Sequence, residues 1–279
     1  KAIEIKKDYK EAYNNLGSLY AKLKDYENAR INFKKAISIK PVHFNEHNNL
    51  GNIYFEIKRY NEAIENYDLA LKINPDFALT YYNKAKVLQK INLIEDSVIN
   101  YKKAISLNKN YSEAYKNLGN IYLDLKTLDK SIYNHEKALK INPRIKFLSG
   151  TIFQSKCGLC DWDNFENNKK ILEKEILDRK KSASPFSVLL LYDSPSLQMQ
   201  ASSIYLESEF EKSKSLKKER DQNKKIRIAY YSSDFHNHAT MYLMANLFEL
   251  HDKSKFEIYA FSFGPDDNSK IRKRVIKSF

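Results

Sequence analysis

Small and hydrophobic residues recur along the first half of the chain at a constant interval of 34 residues. The Leu-Gly pair and its equivalents are Leu16-Gly17, Leu50-Gly51, Lys84-Ala85 and Leu118-Gly119. Each pair, with the large residue that follows it, lies on one side of a predicted helix. A second predicted helix carries an alanine series and an aromatic side chain (Phe33, Tyr67 or Tyr101) that fills the space beside the small residue. The interval therefore predicts stacked pairs of helices.

Proline marks the unit boundaries at Pro41, Pro75 and Pro143, where its ring cannot continue a helix. A helix pair repeated every 34 residues is the tetratricopeptide signature. We predict full repeats at 10–43, 44–77, 78–111 and 112–145. Residues 1–9 are predicted to be the end of an earlier repeat, because Ala2-Ile3-Glu4-Ile5 precedes the similar Ala36-Ile37-Ser38-Ile39 by 34 residues. Residues 1–145 thus form the predicted repeat domain, and we expect the chain to begin inside a longer array.

An asparagine ladder follows the same interval. It consists of Asn15, Asn49, Asn83 and Asn117, with Asn52 and Asn120 one helical turn further along. Asparagine is a mediocre helix former, and its amide offers both hydrogen-bond donors and an acceptor. Because repeat arrays of this kind present a concave face, the ladder is a candidate site for the backbone of an extended peptide. The alternative is a set of solvated polar positions in an asparagine-rich protein.

The 34-residue interval ends after Pro143, and residues 146–224 are predicted to form connecting helices and a basic linker. Helices are predicted over 147–165, 167–181 and 188–210, with a break at 193–195 and a loop at 182–186. Cys157 and Cys160 are predicted to be buried thiols of the first of these helices, since a structural zinc site needs about four ligands and no second pair is near.

The pattern changes again at residue 226. A β-branched and aromatic run over 226–232 predicts a buried strand, a helix is predicted over 241–251, and a second strand over 256–263. Strand, helix and strand in this order predict a βαβ unit, and the polar turn 233–238 follows the first strand, where open α/β sheets hold functional groups. Residues 225–279 are shorter than a usual domain of about 100–150 residues, so we expect an incomplete α/β domain.

The net charge of +13 admits a nucleic-acid partner, but no recognition motif accompanies the charge, and the lysines are expected on polar helix faces. No run of about 18 apolar residues predicts a membrane span, and residues 1–7 contain no apolar signal sequence. We therefore expect a cytoplasmic protein that binds neither nucleic acid nor membrane.

Several short motifs resemble the family of protein O-GlcNAc transferases. They are Cys160-Asp161-Trp162, Ile228-x-Tyr230, Ser232-Ser233-Asp234-Phe235-x-x-His238, Phe248-Glu249-x-His251, Lys255-Phe256-Glu257-Ile258-Tyr259 and Gly264-Pro265-Asp266-Asp267. Their order along the chain is similar to that family's repeats, connecting helices and first catalytic lobe. The expected fold is therefore mainly α: a tetratricopeptide superhelix, connecting helices, and the start of a Rossmann-like glycosyltransferase lobe at 225–279.

The resemblance implies an inverting transfer of N-acetylglucosamine from UDP-GlcNAc to Ser or Thr of proteins, with no obligatory metal or other cofactor. It also implies that the asparagine ladder holds acceptor polypeptides, that His238 is the catalytic base, and that Ser233, Asp234 and Phe235 form the active-site loop. For His238, a helix-capping role is the alternative, and a metal-binding His236-x-His238 pair lacks an evident third ligand. The family's second lobe, which holds the nucleotide, has no counterpart in residues 1–279, so we expect this chain alone to be inactive.

Two other functions fit parts of the pattern. A non-catalytic tetratricopeptide scaffold explains the repeats but gives no role to the predicted βαβ unit. A related transferase with another donor, such as GDP-fucose, differs in the second lobe, so residues 1–279 do not distinguish it from one that uses UDP-GlcNAc.

Overall fold

The computed structural model describes residues 9–39, 43–210 and 225–279, and the chain divides into two compact units between residues 212 and 213. The described part of the first unit is helical, and the second unit contains a small parallel sheet. This architecture confirms the predicted fold class. Three predictions lie outside the described residues: the partial repeat over 1–8, the boundary proline Pro41, and the basic linker over 211–224.

Four helix pairs make up the repeats. They are α1 (Lys10–Lys22) with α2 (Tyr26–Ile39), α3 (Phe44–Glu56) with α4 (Tyr60–Ile73), α5 (Ala78–Lys90) with α6 (Ile94–Leu107), and α7 (Ser112–Asp124) with α8 (Leu128–Ile141). A small residue in the first helix of each pair meets a ring in the second. A Cβ atom on Gly51 would lie 2.6 Å from the Tyr67 ring, and one on Gly17 would lie 2.9 Å from Phe33. The glycines thus let the two helices approach closely, as predicted.

A left-handed residue ends the first helix of every pair. Lys24, Lys58, Asn92 and Lys126 have φ values of 60°, 62°, 63° and 58°, and they too are 34 residues apart. At Lys58 the next backbone N–H, of Arg59, donates to the carbonyl of Tyr54 and closes the helix. The chain therefore turns into each second helix through one residue in a conformation that favours glycine or asparagine.

Four helices follow the repeats: α9 (Leu148–Gly158), α10 (Phe165–Leu177), α11 (Pro185–Leu191) and α12 (Pro195–Glu209). A core of Phe153, Leu172, Ile176, Val188 and Ile204 joins them. Ser184 and Ser194 cap α11 and α12, with a proline at each first turn, which places both helix starts at positions favoured by local sequence.

Two predictions for this region were wrong. The helix predicted over 147–165 ends at Gly158, and Cys160 lies beyond it, exposed and at φ 55°, while Cys157 is half-buried. The turn after Gly158 separates α9 from α10, and Trp162 there is 57% exposed. Of the four apolar residues Ile171, Leu172, Ile176 and Leu177 of α10, only Leu172 and Ile176 are buried, and the other two face away from the core.

The second unit is a βαβ unit with an added helix. Its elements are β1 (Ile226–Ser232), α13 (Ala239–Glu249), β2 (Phe256–Ser262) and α14 (Lys270–Ile276). The strands pair in parallel from Ile226 opposite Phe256 to Ser232 opposite Ser262, which confirms the predicted strand–helix–strand order. Helices α13 and α14 share a core of Met241, Phe248, Ile271 and Val275, against which Tyr230 packs.

The prediction that β1 is buried was wrong. Its residues alternate between exposed and half-buried, and Tyr231 is 68% exposed. Among the described residues the sheet has two strands, and one of its faces carries Tyr231 stacked on Phe261 with ring centroids 4.6 Å apart. One face of β1 thus meets the helices and the other meets solvent. Within the described ranges, no helix is both long enough and apolar enough to cross a membrane.

Candidate functional site

The loops that follow the two strands leave the sheet at the same edge, because Ser232 and Ser262 end the strands in register. The loops touch where Gly264 passes Ser233. A Cβ atom on Gly264 would lie only 1.7 Å from the Ser233 carbonyl oxygen, so no other residue fits without movement of the backbone. The loop after β2 therefore supports the turn at 233–238.

Two charged residues, Asp267 and Arg272, also hold this turn in place through hydrogen bonds to its backbone. The Asp267 carboxylate accepts a hydrogen bond of 2.6 Å from the Asn237 backbone N–H. This bond, with weaker ones from Ser269, lowers the pKa of Asp267 to about 2. Arg272 of α14 donates to the Phe235 carbonyl and lies 2.8 Å from Asp266. The sequence analysis did not identify Arg272, because in the sequence it is only one of several basic residues in a short segment.

The three predicted loop residues have different surroundings. The Ser233 hydroxyl donates to Asp234 Oδ1 over 2.9 Å, and the Asp234 backbone N–H donates to the Ser232 hydroxyl. The Phe235 side chain is 4% exposed and belongs to the core with Phe248 and Val275. Phe235 can therefore meet a ligand only through its backbone, whereas Asp234 keeps a partly exposed carboxylate beside His238.

His238 is the N-cap of α13. Its Nδ1 accepts from the Thr240 backbone N–H at 3.3 Å and lies 3.0 Å from Thr240 Oγ1 and 3.7 Å from Asp234 Oδ2. No hydrogen bond from another described residue reaches Nε2. The capping alternative is therefore visible in the structure. Nε2 can accept a proton only when the ring hydrogen is on Nδ1, and the role of base stays a prediction.

His236 lies near His238, with ring centroids 5.6 Å apart. In the described ranges no three His, Cys, Asp or Glu side chains are grouped as ligands for a metal ion. The chemistry open to the turn is thus that of a histidine and a carboxylate at the carboxyl end of a parallel strand, where α/β sheets bind ligands.

The asparagines of the ladder differ from one another in burial and in hydrogen bonding. Asn15 is exposed and Asn49 is half-buried, and no hydrogen bond joins either side chain to another described residue. Asn83 is buried, and its Nδ2 donates to Asn48 Oδ1, which also accepts from the Thr80 hydroxyl. Within the described part of the chain the amides of Asn15 and Asn49 have no hydrogen-bond partner, whereas Asn83 is part of the packing between repeats.

The other three amides contact the ring of a second helix. Asn117 Nδ2 donates to Tyr101 Oη over 3.2 Å, and Asn52 Oδ1 accepts from Tyr67 Oη over 2.7 Å. Asn120 Oδ1 lies 3.0 Å from Nε2 of His135. In the half-buried Asn52 and Asn120, the carbonyl end is engaged and the NH₂ end has no partner among the described residues. These two amides can therefore donate to a peptide carbonyl.

His135 occupies the position of Phe33, Tyr67 and Tyr101 in the fourth repeat, a residue that the sequence analysis did not single out although it keeps the 34-residue interval. Its side chain is fully buried, and its Nδ1 lies 3.4 Å from the Ser131 hydroxyl. Burial lowers the pKa of His135 to about 4. The ring is thus neutral near pH 7, with its Nε2 proton donated to Asn120.

Comparison with protein families supports both parts of this description. Tetratricopeptide models match residues 10–43, 51–92, 78–111 and 100–133. Most of residues 10–133 are thus similar to tetratricopeptide repeats, and a segment similar to a glycosyltransferase follows them. That segment, residues 159–279, matches the model of glycosyl transferase family 41, and it includes the whole βαβ unit and the turn at 233–238.

Individual proteins agree with these matches over short stretches. The chain is 36% identical over 52 residues to a probable UDP-N-acetylglucosamine–peptide N-acetylglucosaminyltransferase SEC of Arabidopsis thaliana, over 19% of this chain and 5% of that protein. It is 35% identical over 52 residues to the corresponding Caenorhabditis elegans enzyme, over 19% of this chain and 4% of that protein. The chain thus matches about a twentieth of the length of these relatives.

Among solved structures, the crystal structure of MamA superposes with a TM-score of 0.53 at 27% identity, covering 60% of this chain and 91% of that chain.

Proposed function

We propose that the chain is part of a protein O-GlcNAc transferase that transfers N-acetylglucosamine from UDP-GlcNAc to Ser or Thr with inversion. The observation that carries this proposal is the family 41 match over 159–279, because it encloses the parallel strands and the turn with His238. The names of the two curated relatives support the choice of donor and acceptor. The repeats are proposed to bind the acceptor polypeptide.

The chemistry asks for a base beside the acceptor hydroxyl. In a single displacement the Ser or Thr oxygen bonds to the anomeric carbon, the bond to the UDP oxygen breaks, and the hydroxyl proton passes to the base. His238 suits this role, because a neutral imidazole has one nitrogen that can accept a proton and its Nε2 has no partner among the described residues. General-base assistance is typically worth about 10²–10⁴-fold in rate.

The acceptor strand is proposed to run along the first helices of the repeats. The NH₂ groups of Asn52 and Asn120, and the amides of Asn15 and Asn49, none of which has a partner in the described ranges, can bond to peptide backbone whatever its side chains. Backbone contacts of this kind explain how one groove would accept many sequences. Asn83 and Asn117 are engaged within the repeats, and we propose that they shape this groove indirectly.

The test uses the protein translated from its complete reading frame, incubated with UDP-GlcNAc, UDP-glucose or GDP-fucose and a mixture of Ser- and Thr-containing peptides. We expect sugar release and peptide modification with UDP-GlcNAc, and a loss of about 10²-fold or more in His238→Gln. His236→Gln, in the same turn, is the matched control and should stay within a few-fold of the wild type.

Other outcomes would identify the alternatives. Turnover with GDP-fucose alone would indicate a related transferase with another donor. Peptide binding without hydrolysis of any donor would indicate a scaffold. Residues 1–279 by themselves are expected to transfer negligible sugar, and efficient transfer by this fragment would contradict the proposal that a second lobe holds the nucleotide.

A further inference from the structure

The surroundings of His238 contain two hydrogen-bond patterns that require different tautomers. If the ring accepts from the Thr240 backbone N–H at 3.3 Å, Nδ1 is unprotonated and the proton sits on Nε2. If Nδ1 carries the proton, it can donate to Thr240 Oγ1 at 3.0 Å, and that hydroxyl can donate in turn to Asp234 Oδ2 at 3.4 Å. Only the second pattern leaves Nε2 able to take a proton.

We propose that Asp234 is a positioning residue that, through the Thr240 hydroxyl, holds the His238 proton on Nδ1 and keeps Nε2 free as a base. This proposal depends on the proposed function in one respect, namely that the proton which Nε2 accepts comes from the acceptor hydroxyl. The chain Nδ1–H to Oγ1–H to carboxylate gives an acceptor to the ring N–H and to the Thr240 hydroxyl, in exchange for the longer bond from the Thr240 backbone N–H. It ends on a charged acceptor, which strengthens the hydrogen bond.

Asp234 is itself held in place for this task. Its Oδ1 accepts from the Ser233 hydroxyl at 2.9 Å and its backbone N–H donates to Ser232 Oγ at 3.0 Å, so Oδ2 is the oxygen left for Thr240. The ring of His236 contacts His238 edge-on and offers it no hydrogen bond among the described residues. When Nε2 takes the acceptor proton, the resulting imidazolium keeps its Nδ1–H bond to Thr240 and lies 3.7 Å from the Asp234 charge.

The test is ¹⁵N NMR of the histidine side chains in the 279-residue chain at alkaline pH, with the His238 signal assigned by its loss in His238→Gln. The wild type should show mainly the Nδ1–H tautomer. Asp234→Asn and Thr240→Val should each reverse the ratio toward Nε2–H, because both remove the chain to the carboxylate while the backbone cap stays. Thr240→Ser, which restores a hydroxyl, should retain the wild-type ratio.

Asp267→Asn is the control, since it removes a carboxylate that contacts Asn237 and not His238; it should leave the tautomer unchanged. A wild type that is mainly Nε2–H would overturn the proposal, and so would a tautomer ratio in Asp234→Asn and Thr240→Val that is unchanged from the wild type. The outcome is separate from donor turnover. A tautomer set by Asp234 in a protein that hydrolyses no sugar nucleotide would keep the positioning role and reject the transferase.

Discussion

The repeats and the βαβ unit use polar side chains in opposite ways. In the repeats, Asn83, Asn117 and Asn120 lie at positions fixed by the 34-residue interval, and each bonds to another side chain of the array. In the turn after β1, Asp234 and His238 belong to no repeat, and both side chains are partly exposed. The Nε2 atom of His238 has no hydrogen-bond partner among the described residues. Repetition thus identifies residues that pack, and it overstates how many of them are free to bind a ligand.

The largest expected effect tests the close approach of Gly264 to Ser233, which supports the turn at 233–238. In Gly264→Ala the new Cβ would lie 1.7 Å from the Ser233 carbonyl oxygen, so the backbone of one loop must move. We expect a loss of about 3 kcal/mol or more in the free energy of unfolding of the second unit. Urea denaturation followed by NMR signals of residues in α13 measures this loss.

Gly158→Ala is the control for this prediction. Its Cβ would meet only the terminal Cδ1 of Leu128 at 2.9 Å, and that flexible methyl group can move aside. A change within about 0.5 kcal/mol is expected. Equal stability of Gly264→Ala and the wild type would show that the two loops do not need their close approach.

The next effect concerns His135, which replaces the Phe or Tyr ring that the other three repeats have at this position. The folded pKa of His135 is about 4, and its ordinary value is 6.5, so above pH 6.5 both states are neutral and the full stability is present. As the pH falls from 6.5 to 4, the unfolded chain binds a proton that the folded chain resists. The fourth repeat should then lose up to about 3 kcal/mol of stability.

His135→Tyr should remove this dependence while the fold is kept, because it reproduces the second repeat, where Gly51, Asn52 and Tyr67 make the same arrangement. Thermal unfolding from pH 7 to pH 4 compares the two proteins. Parallel curves, in which the difference in melting temperature does not change with pH, would show that His135 is not a source of acid sensitivity.

A smaller effect separates two members of the asparagine ladder. Asn83→Ala removes a buried donor to Asn48, and about 1–2 kcal/mol of stability should be lost. Asn49→Ala, at the same position of the preceding repeat, removes a side chain without a hydrogen-bond partner in the described structure and should change stability by less than about 0.5 kcal/mol. The denaturant midpoints of the two variants measure this difference in stability. Similar losses of stability in both variants would show that Asn49 also contributes to the packing.

The smallest effect is that of one hydroxyl. Tyr67→Phe removes the 2.7 Å hydrogen bond to Asn52 Oδ1 and should cost about 1 kcal/mol. The ring itself fits, because Phe33 fills the same position in the first repeat. If peptide binding is carried by the oriented Asn52 amide, Tyr67→Phe should weaken it in the wild type and have no effect in an Asn52→Ala background, as a double-mutant cycle by calorimetry would show.

Most of the fold could be predicted, because the helix pairs follow from a repeated interval and the strands from their β-branched runs. The helix α14 was missed, since four of its seven residues are basic or polar and only Ile271 and Val275 are buried. The end of α9 at Gly158 was placed too late, because the left-handed residue that follows is Cys160, and cysteine does not ordinarily mark such a turn.

The site was predicted less completely than the fold. His238 and Asp234 were identified from their position after a strand and from the motif over 232–238 that resembles the transferase family. The burial of Phe235 depends on α14 and on Phe248, which are distant in sequence, and the bonds of Asn52 and Asn83 depend on which rotamer faces the neighbouring helix. Contacts of this kind are set by tertiary packing, and periodicity does not encode them.

The left-handed residue at the end of each first helix suggests how the thermal stability of this protein could be raised. Lysine holds that conformation at positions 24, 58 and 126, where a side chain with a Cβ costs roughly 1 kcal/mol, while the third repeat has Asn92. Because the array gains or loses stability repeat by repeat, small improvements at these turns should add together. The native protein is therefore expected to be less thermostable than a variant with asparagine at positions 24, 58 and 126, as the third repeat already has at Asn92.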